Sequence, residues 1–135
     1  MIVDSSALVA ILRSEPERDA CLDALTTAAS SGISAATLLE CSIVIDSFRD
    51  PVVSRRLDEL RLEAGIHVAP FTATQADVAR RAYRDYGKGS GHPAGLNLGD
   101  CFAYALATEQ DEPLLFVGDD FTHTDVRSAL DQPSR

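Results

Sequence analysis

Cysteine, basic charge and long apolar segments are all scarce in this chain of 135 residues, and each shortage excludes a class of protein. The three cysteines, Cys21, Cys41 and Cys101, are odd in number, widely spaced and without a C-x-x-C pair. They therefore predict neither a disulfide framework nor a zinc site. We expect them to be reduced core residues of a cytoplasmic protein.

Apolar residues never continue uninterrupted for the roughly eighteen positions that suggest a membrane-spanning helix. The sequence opens on Met1-Ile2-Val3-Asp4, without the basic segment and long apolar stretch of a secretory leader. We therefore expect neither secretion nor attachment to a membrane.

Basic residues are outnumbered, because 12 Lys and Arg face 21 Asp and Glu and give a net charge of −9. This balance argues against nonspecific nucleic-acid binding driven by bulk charge. It leaves room for an enzyme that cuts nucleic acid, since several acids in one site can be neutralised by divalent cations.

What the chain does contain is enough apolar sequence, 45% of its residues, to bury the core of a single domain over 1–135. Short apolar segments alternate with helical patterns, and this alternation is typical of a parallel α/β sandwich with helices on both faces of the sheet. In the helix predicted at 36–48, Leu39 and Ile43, with Ile45 or Phe48, are expected to face inward. The predicted strands are 2–4, 32–34, 66–71 and 114–117. The other predicted helices cover 5–12, 16–28, 51–64 and 72–86, and a last helix is predicted to begin at 97 or 99.

Acidic residues occupy positions at which parallel α/β sheets commonly bind ligands. Asp4 follows the first strand, Asp119 and Asp120 follow the last, and Asp100 stands near a helix start. These places converge on one edge of the sheet, and Glu40 can join them from its helix. Three or four carboxylates there would bind Mg²⁺ or Mn²⁺, which predicts metal-dependent hydrolysis of a phosphodiester.

Each acid also has a simpler interpretation when it is taken alone. Asp4 and Asp100 could merely cap helices, since Asp is a preferred N-cap residue. Glu40 could be an ordinary solvated helix residue, and the pair at 119–120 could form a plain turn. The apolar residues around Glu40, which include Leu38 and Cys41, favour an inward carboxylate.

Four segments, taken together, resemble the PIN-domain ribonuclease toxins called VapC. The resemblance spans nearly the whole chain, and the segments follow the family's order at suitable spacings. They are VDSSALVA at 3–10, LE at 39–40, GLNLGDCF at 95–102, and LLFVGDDF at 114–121 followed by TD at 124–125.

This resemblance implies a PIN-like three-layer sandwich and an endoribonuclease that uses Mg²⁺ or Mn²⁺. It further implies an RNA substrate, neutralisation by a VapB-type antitoxin and a homodimer. The metal-site acids that it implies are Asp4, Glu40 and Asp100, with the Ser6 hydroxyl near the first. In many PIN domains the fourth acid lies in a Thr-x-Asp pattern, but Gly118 stands in place of that Thr, which leaves Asp119 or Asp120. Asp120 is favoured because it directly precedes Phe121.

Other functions fit parts of the same pattern. A haloacid-dehalogenase-like phosphatase also begins with a strand and an Asp, but it needs a second Asp two positions on, where this chain has Ser6. A receiver-like module needs a late Lys after a strand, and no Lys follows Lys88. A PIN nuclease of RNA processing and a noncatalytic metal-binding module stay open as alternatives to a toxin.

Overall fold

The structure, a computed structural model, describes residues 1–131. In this range four parallel strands form one sheet in the order β3-β2-β1-β4, with six helices around it, and the predicted α/β class is confirmed. The strands are β1 (Ile2–Val3), β2 (Ser31–Ser34), β3 (Ile66–Ala69) and β4 (Leu114–Leu115); the helices are α1 (Ser5–Leu12), α2 (Arg18–Thr27), α3 (Ala35–Ser47), α4 (Pro51–Glu63), α5 (Ala73–Tyr86) and α6 (Leu98–Gln110).

Alternating side chains of β1 and its neighbour β4 contribute to a core on each face of the sheet. Ile2 and Leu114 pack with α5 and α6 on one face. Val3 and Leu115 pack with α1 to α4 on the other. Since neighbouring residues of a strand point to opposite faces, this alternation produces the predicted three layers.

The parallel register places the loops that follow β1 and β4 side by side. Ile2 pairs with Leu114 and Val3 with Leu115. The backbone amide of Asp4 then donates to the carbonyl of Leu115 at 2.9 Å. Asp4 therefore lies beside the start of the segment that leads to 119–120.

Most predicted helix starts coincide with observed caps. Asp50 accepts hydrogen bonds from the amides of Val52 and Val53, and Pro51 occupies the first turn of α4. Thr72 caps α5 by accepting from the amide of Gln75. The second helix differs, because it begins at Arg18 and Pro16 lies before it. None of the helices in residues 1–131 has the length and apolar character that crossing a membrane requires.

The inward face that we predicted for α3 is wrong at Leu39 and Ile43 and correct at Ile45. Leu39 and Ile43 are 63% and 61% exposed, whereas Thr37, Cys41 and Ile45 are fully buried. Because α3 is apolar on most sides, its sequence contains two possible stripes at helical spacing, and periodicity does not choose between them. The stripe that carries Cys41 packs into the core. Of Ile45 and Phe48, the two alternatives in the prediction, Ile45 is buried and Phe48 is 40% exposed.

Candidate active site

Asp4 links the first strand to the first helix and is almost completely buried, at 4% exposure. It is the N-cap of α1, and its Oδ2 accepts hydrogen bonds from the amide of Ser6 at 3.1 Å and from the Ser6 hydroxyl at 2.7 Å. Burial raises the pKa of Asp4 and the nearby charge of Asp120 adds to this effect, although the hydrogen bonds from Ser6 oppose it. The carboxyl is thus fixed in position and costly to ionise.

Ser6 also fastens the segment after β4 to this acid. Its hydroxyl oxygen accepts a hydrogen bond from the amide of Val117 at 3.0 Å while it donates to Asp4. One side chain therefore holds the loops that follow two neighbouring strands. The proximity of the Ser6 hydroxyl to the first acid agrees with the sequence prediction.

Asp100 lies at the third position of α6, where it forms a capping box. Its amide donates to Asn97 Oδ1 at 2.9 Å, and the amide of Asn97 donates to Asp100 Oδ2 at 3.0 Å. Burial, together with the charges of Asp120 and Asp4, raises the pKa of Asp100 to about 7. The cap engages Oδ2, so the carboxylate has a second oxygen for another partner, and capping does not compete with a role in a site.

Glu40 approaches the same place from α3 and is half-buried. The Ser5 hydroxyl donates to its Oε1 at 3.4 Å. Burial raises the pKa of Glu40 and the charge of Asp4 raises it further. The predicted inward carboxylate is therefore present, even though the neighbouring Leu39 points to solvent.

Of the two acids after the last strand, Asp120 is the one that interacts with the cluster. Its side chain interacts with that of Asp100, and its charge raises the pKa of both Asp100 and Asp4. The backbone carbonyl of the neighbouring Asp119 accepts from the amide of Thr122 at 3.1 Å and so closes a turn. The two residues therefore differ in their surroundings, and the choice of Asp120 as the fourth metal-site acid stays a prediction.

The four carboxylates, Asp4, Glu40, Asp100 and Asp120, form what we call the acidic cluster. Across residues 1–131 the ion pairs engage other acids, and none involves a member of this cluster. In the same range, no three carboxylate, imidazole or thiol groups lie close enough together to hold one metal ion without moving. A cation would therefore have to draw the side chains closer. The donor chemistry fits, because hard divalent cations prefer oxygen ligands and would neutralise the mutual repulsion.

Two contributors to this geometry were absent from the sequence prediction. Ser5 supports Glu40 across the site, and Gly99 provides space beside the Glu40 carboxylate. A glycine in the first turn of a helix, directly before a candidate ligand, is a signal that could have identified Gly99. Ser5 offers no such signal, because its partner is 35 residues away.

The three cysteines are free and buried, as expected from the sequence. Burial raises the pKa of Cys41 to about 12 and that of Cys101 to about 11, with nearby carboxylates adding to both effects. Such thiols are unreactive, and their position in the core gives them a packing role.

Comparison with known proteins identifies the family. Residues 1–127 match the model of the PIN domain. The chain is 59% identical over 132 residues to ribonuclease VapC28 of Mycobacterium tuberculosis, covering 98% of this chain and 99% of that protein. It is 50% identical over 129 residues to the VapC ribonuclease Mb2780c of Mycobacterium bovis, covering 96% and 98% of the two chains.

Solved structures share the fold at low sequence identity. The sarcin-ricin loop cleaving toxin VapC20 of M. tuberculosis superposes with a TM-score of 0.69 at 15% identity, covering 93% of this chain and 98% of that one. A toxin-antitoxin complex from Klebsiella pneumoniae has the same TM-score at 17% identity, covering 95% and 96%. The chain therefore belongs to the PIN-domain family, among its VapC ribonucleases.

Proposed function

We propose that this protein is an endoribonuclease that requires Mg²⁺ or Mn²⁺ and whose single PIN domain occupies residues 1–135. The observation that supports this proposal is the convergence of Asp4, Glu40, Asp100 and Asp120 without any basic partner in the described part of the chain. An uncompensated group of carboxylates is costly to maintain, and a divalent cation offsets this cost.

The side chains divide the work according to how they are held. Asp4 and Asp100 are fixed by helix caps, and they would hold the ion in a constant position. Glu40 and Asp120 would orient the attacking water or support a second ion. A bound cation supplies positive charge that lowers the pKa of water and stabilises the charge developing on the phosphate. No covalent nucleophile is required.

We further propose that the protein is a cytoplasmic toxin that a VapB-type antitoxin neutralises and that acts as a homodimer. Its relatives are named VapC ribonucleases, and one structural neighbour is a toxin-antitoxin complex. Large apolar side chains lie exposed on α3 and α6, including Leu39, Ile43 and Leu98. Exposed apolar groups that cluster on a small protein are typical of surfaces that bind other proteins.

The direct test is to incubate purified protein with total RNA and Mg²⁺ or Mn²⁺ and to map new 5′ and 3′ ends. We expect discrete cuts that EDTA abolishes and that the Asp4→Asn variant does not make. Asp58→Asn is the matched control, because it removes one negative charge from an exposed position on α4. Cutting by Asp4→Asn at the parent's rate would contradict the assignment of the site.

Cleavage, considered together with cell growth and metal binding, separates the alternative functions. Cutting by a protein whose expression leaves cells growing normally would indicate a nuclease of RNA processing. Metal binding without any cleavage would indicate a noncatalytic module. A short upstream reading frame that encodes a DNA-binding protein, and a complex of the two products on co-expression, would support the toxin.

A further inference from the structure

Gly99 is buried at the second position of α6, between the exposed Leu98 and Asp100 of the acidic cluster. A Cβ atom added at this position would lie inside the space of the Glu40 carboxylate, in contact with its carbon and both oxygens. The backbone of Gly99 is not in the left-handed region, so any residue could adopt its conformation. Alanine would also favour the helix. The reason for glycine here is space.

We propose that Gly99 is a positioning residue for Glu40: the missing side chain lets the first turn of α6 approach α3 closely enough for the Glu40 carboxylate to reach Asp4. This inference rests on the proposed function, since it assigns Gly99 a role in the same site. It extends that function to a residue that has no side chain to bind metal or substrate.

The expected consequence of Gly99→Ala follows from which atoms would collide. The Cβ would meet the end of a long, half-buried side chain and not backbone, so Glu40 can rotate away at little cost to the fold. The displaced carboxylate would lose its contact with the Ser5 hydroxyl and its proximity to Asp4. The fold should persist while the acidic cluster loses one member.

The test is calorimetric titration of Mn²⁺ into metal-free protein, with the parent, Gly99→Ala and Glu40→Gln compared. We expect Gly99→Ala and Glu40→Gln each to weaken Mn²⁺ binding by about 10-fold to 100-fold, the range seen when the supporting shell of a metal site is altered. Gly32→Ala is the matched control, because its Cβ would lie 3.4 Å from the carbonyl oxygen of His67 and 3.7 Å from Ile2 Cδ1, which are ordinary contacts. It should bind Mn²⁺ within about twofold of the parent, on the same reasoning.

A second variant distinguishes positioning from general damage to α6. Glu40→Asp shortens the side chain by one methylene group and withdraws the carboxylate from the space that the methyl group of Gly99→Ala would fill. In the Gly99→Ala background this change should restore Mn²⁺ affinity or leave it unaltered, whereas in the parent it should weaken binding. Such a coupling between the two positions is measured by a double-mutant cycle.

The outcomes separate this inference from the proposed function. If the parent does not bind Mn²⁺, the metal site itself is wrongly assigned and the proposed function fails. If the parent binds Mn²⁺ and Glu40→Gln binds it equally, Glu40 is not part of the site and the role of Gly99 is overturned with it. If Glu40→Gln is weakened while Gly99→Ala binds like the parent, the site stands and the role of Gly99 is overturned. Additive effects of Gly99→Ala and Glu40→Asp, or a Gly99→Ala protein that fails to fold in EDTA, would also overturn it.

Discussion

Replacing Asp100 by Asn should stabilise the metal-free protein, although Asp100 belongs to the proposed active site. The carboxyl is buried near Asp4 and Asp120, and these surroundings raise its pKa from the ordinary 3.8 to about 7. Asn has nearly the same shape, can still accept the hydrogen bond from the amide of Asn97 and carries no charge. The substitution therefore removes the repulsion and keeps the cap.

The size of the gain follows from proton linkage. Because the folded state holds the proton more tightly than the unfolded state, the contribution of Asp100 is fully present below about pH 3.8 and is lost as the pH rises to about 7. The pKa of Asp100 differs by roughly three units between the two states, which corresponds to at most about 4 kcal/mol in the free energy of unfolding. Allowing for solvent near the carboxyl, we expect Asp100→Asn to gain about 2 kcal/mol above pH 7.

The assay is unfolding by urea and by heat in EDTA at pH 4 and pH 8. At pH 8 the midpoint temperature of Asp100→Asn should exceed that of the parent by roughly 6 to 10 °C, and at pH 4 the two should nearly coincide. Asp58→Asn, which removes an exposed charge, serves as the control for the effect of net charge. An equal gain in Asp100→Asn and Asp58→Asn, or destabilisation of Asp100→Asn at pH 8, would refute the reasoning.

Four further results are expected. In calorimetry, Mn²⁺ should bind more weakly at pH 5.5 than at pH 8, because protons compete with the ion for carboxylates whose pKa is raised. Asp100 should contribute most to this difference, and equal affinities at the two pH values would contradict the prediction. Ser6→Ala should lower the free energy of unfolding by about 1 to 3 kcal/mol in urea titrations and slow RNA cleavage, since it leaves the amide of Val117 without its partner; unchanged stability would contradict the link. Tyr104→Phe should cost about 1 to 2 kcal/mol through loss of the 2.7 Å hydrogen bond to Asp125, with cleavage unaltered, and a slower cleavage rate would connect this pair to the site. The three cysteines should react with a thiol reagent at pH 8 only after unfolding, and rapid labelling of the native protein would disprove their burial.

The sequence was sufficient to predict the fold class and most helix starts, the start of α2 excepted, because these depend on local signals. Asp50-Pro51 and Thr72 satisfy the free amides of their own helices, and alternating apolar segments identify parallel strands. The buried face of α3 could not be predicted in the same way. Its two apolar stripes are equivalent locally, and only packing against the rest of the core selects Cys41 and Ile45 over Leu39 and Ile43.

For the acidic cluster, the sequence predicted which acids lie near one another but not the contacts that support them. Strand and helix ends indicated Asp4 and Asp100, since parallel topology brings such positions to one edge of a sheet. The supporting contacts were not predictable, because the Ser6 hydroxyl meets the amide of Val117 across 111 residues. The role of Gly99 likewise depends on the distance between two helices, which a residue pattern does not contain.

The measurement that tests the central claim most directly is the rate of hydrolysis at one mapped RNA bond as Mg²⁺ is varied. We expect a rate that saturates with Mg²⁺ and vanishes in EDTA. Asp4→Asn should be slower by at least about 100-fold, because metal-assisted charge stabilisation contributes several kcal/mol, while Asp58→Asn should match the parent. Hydrolysis that continues in EDTA, or an Asp4→Asn rate within a few-fold of the parent's, would contradict a metal-dependent ribonuclease site built on the acidic cluster.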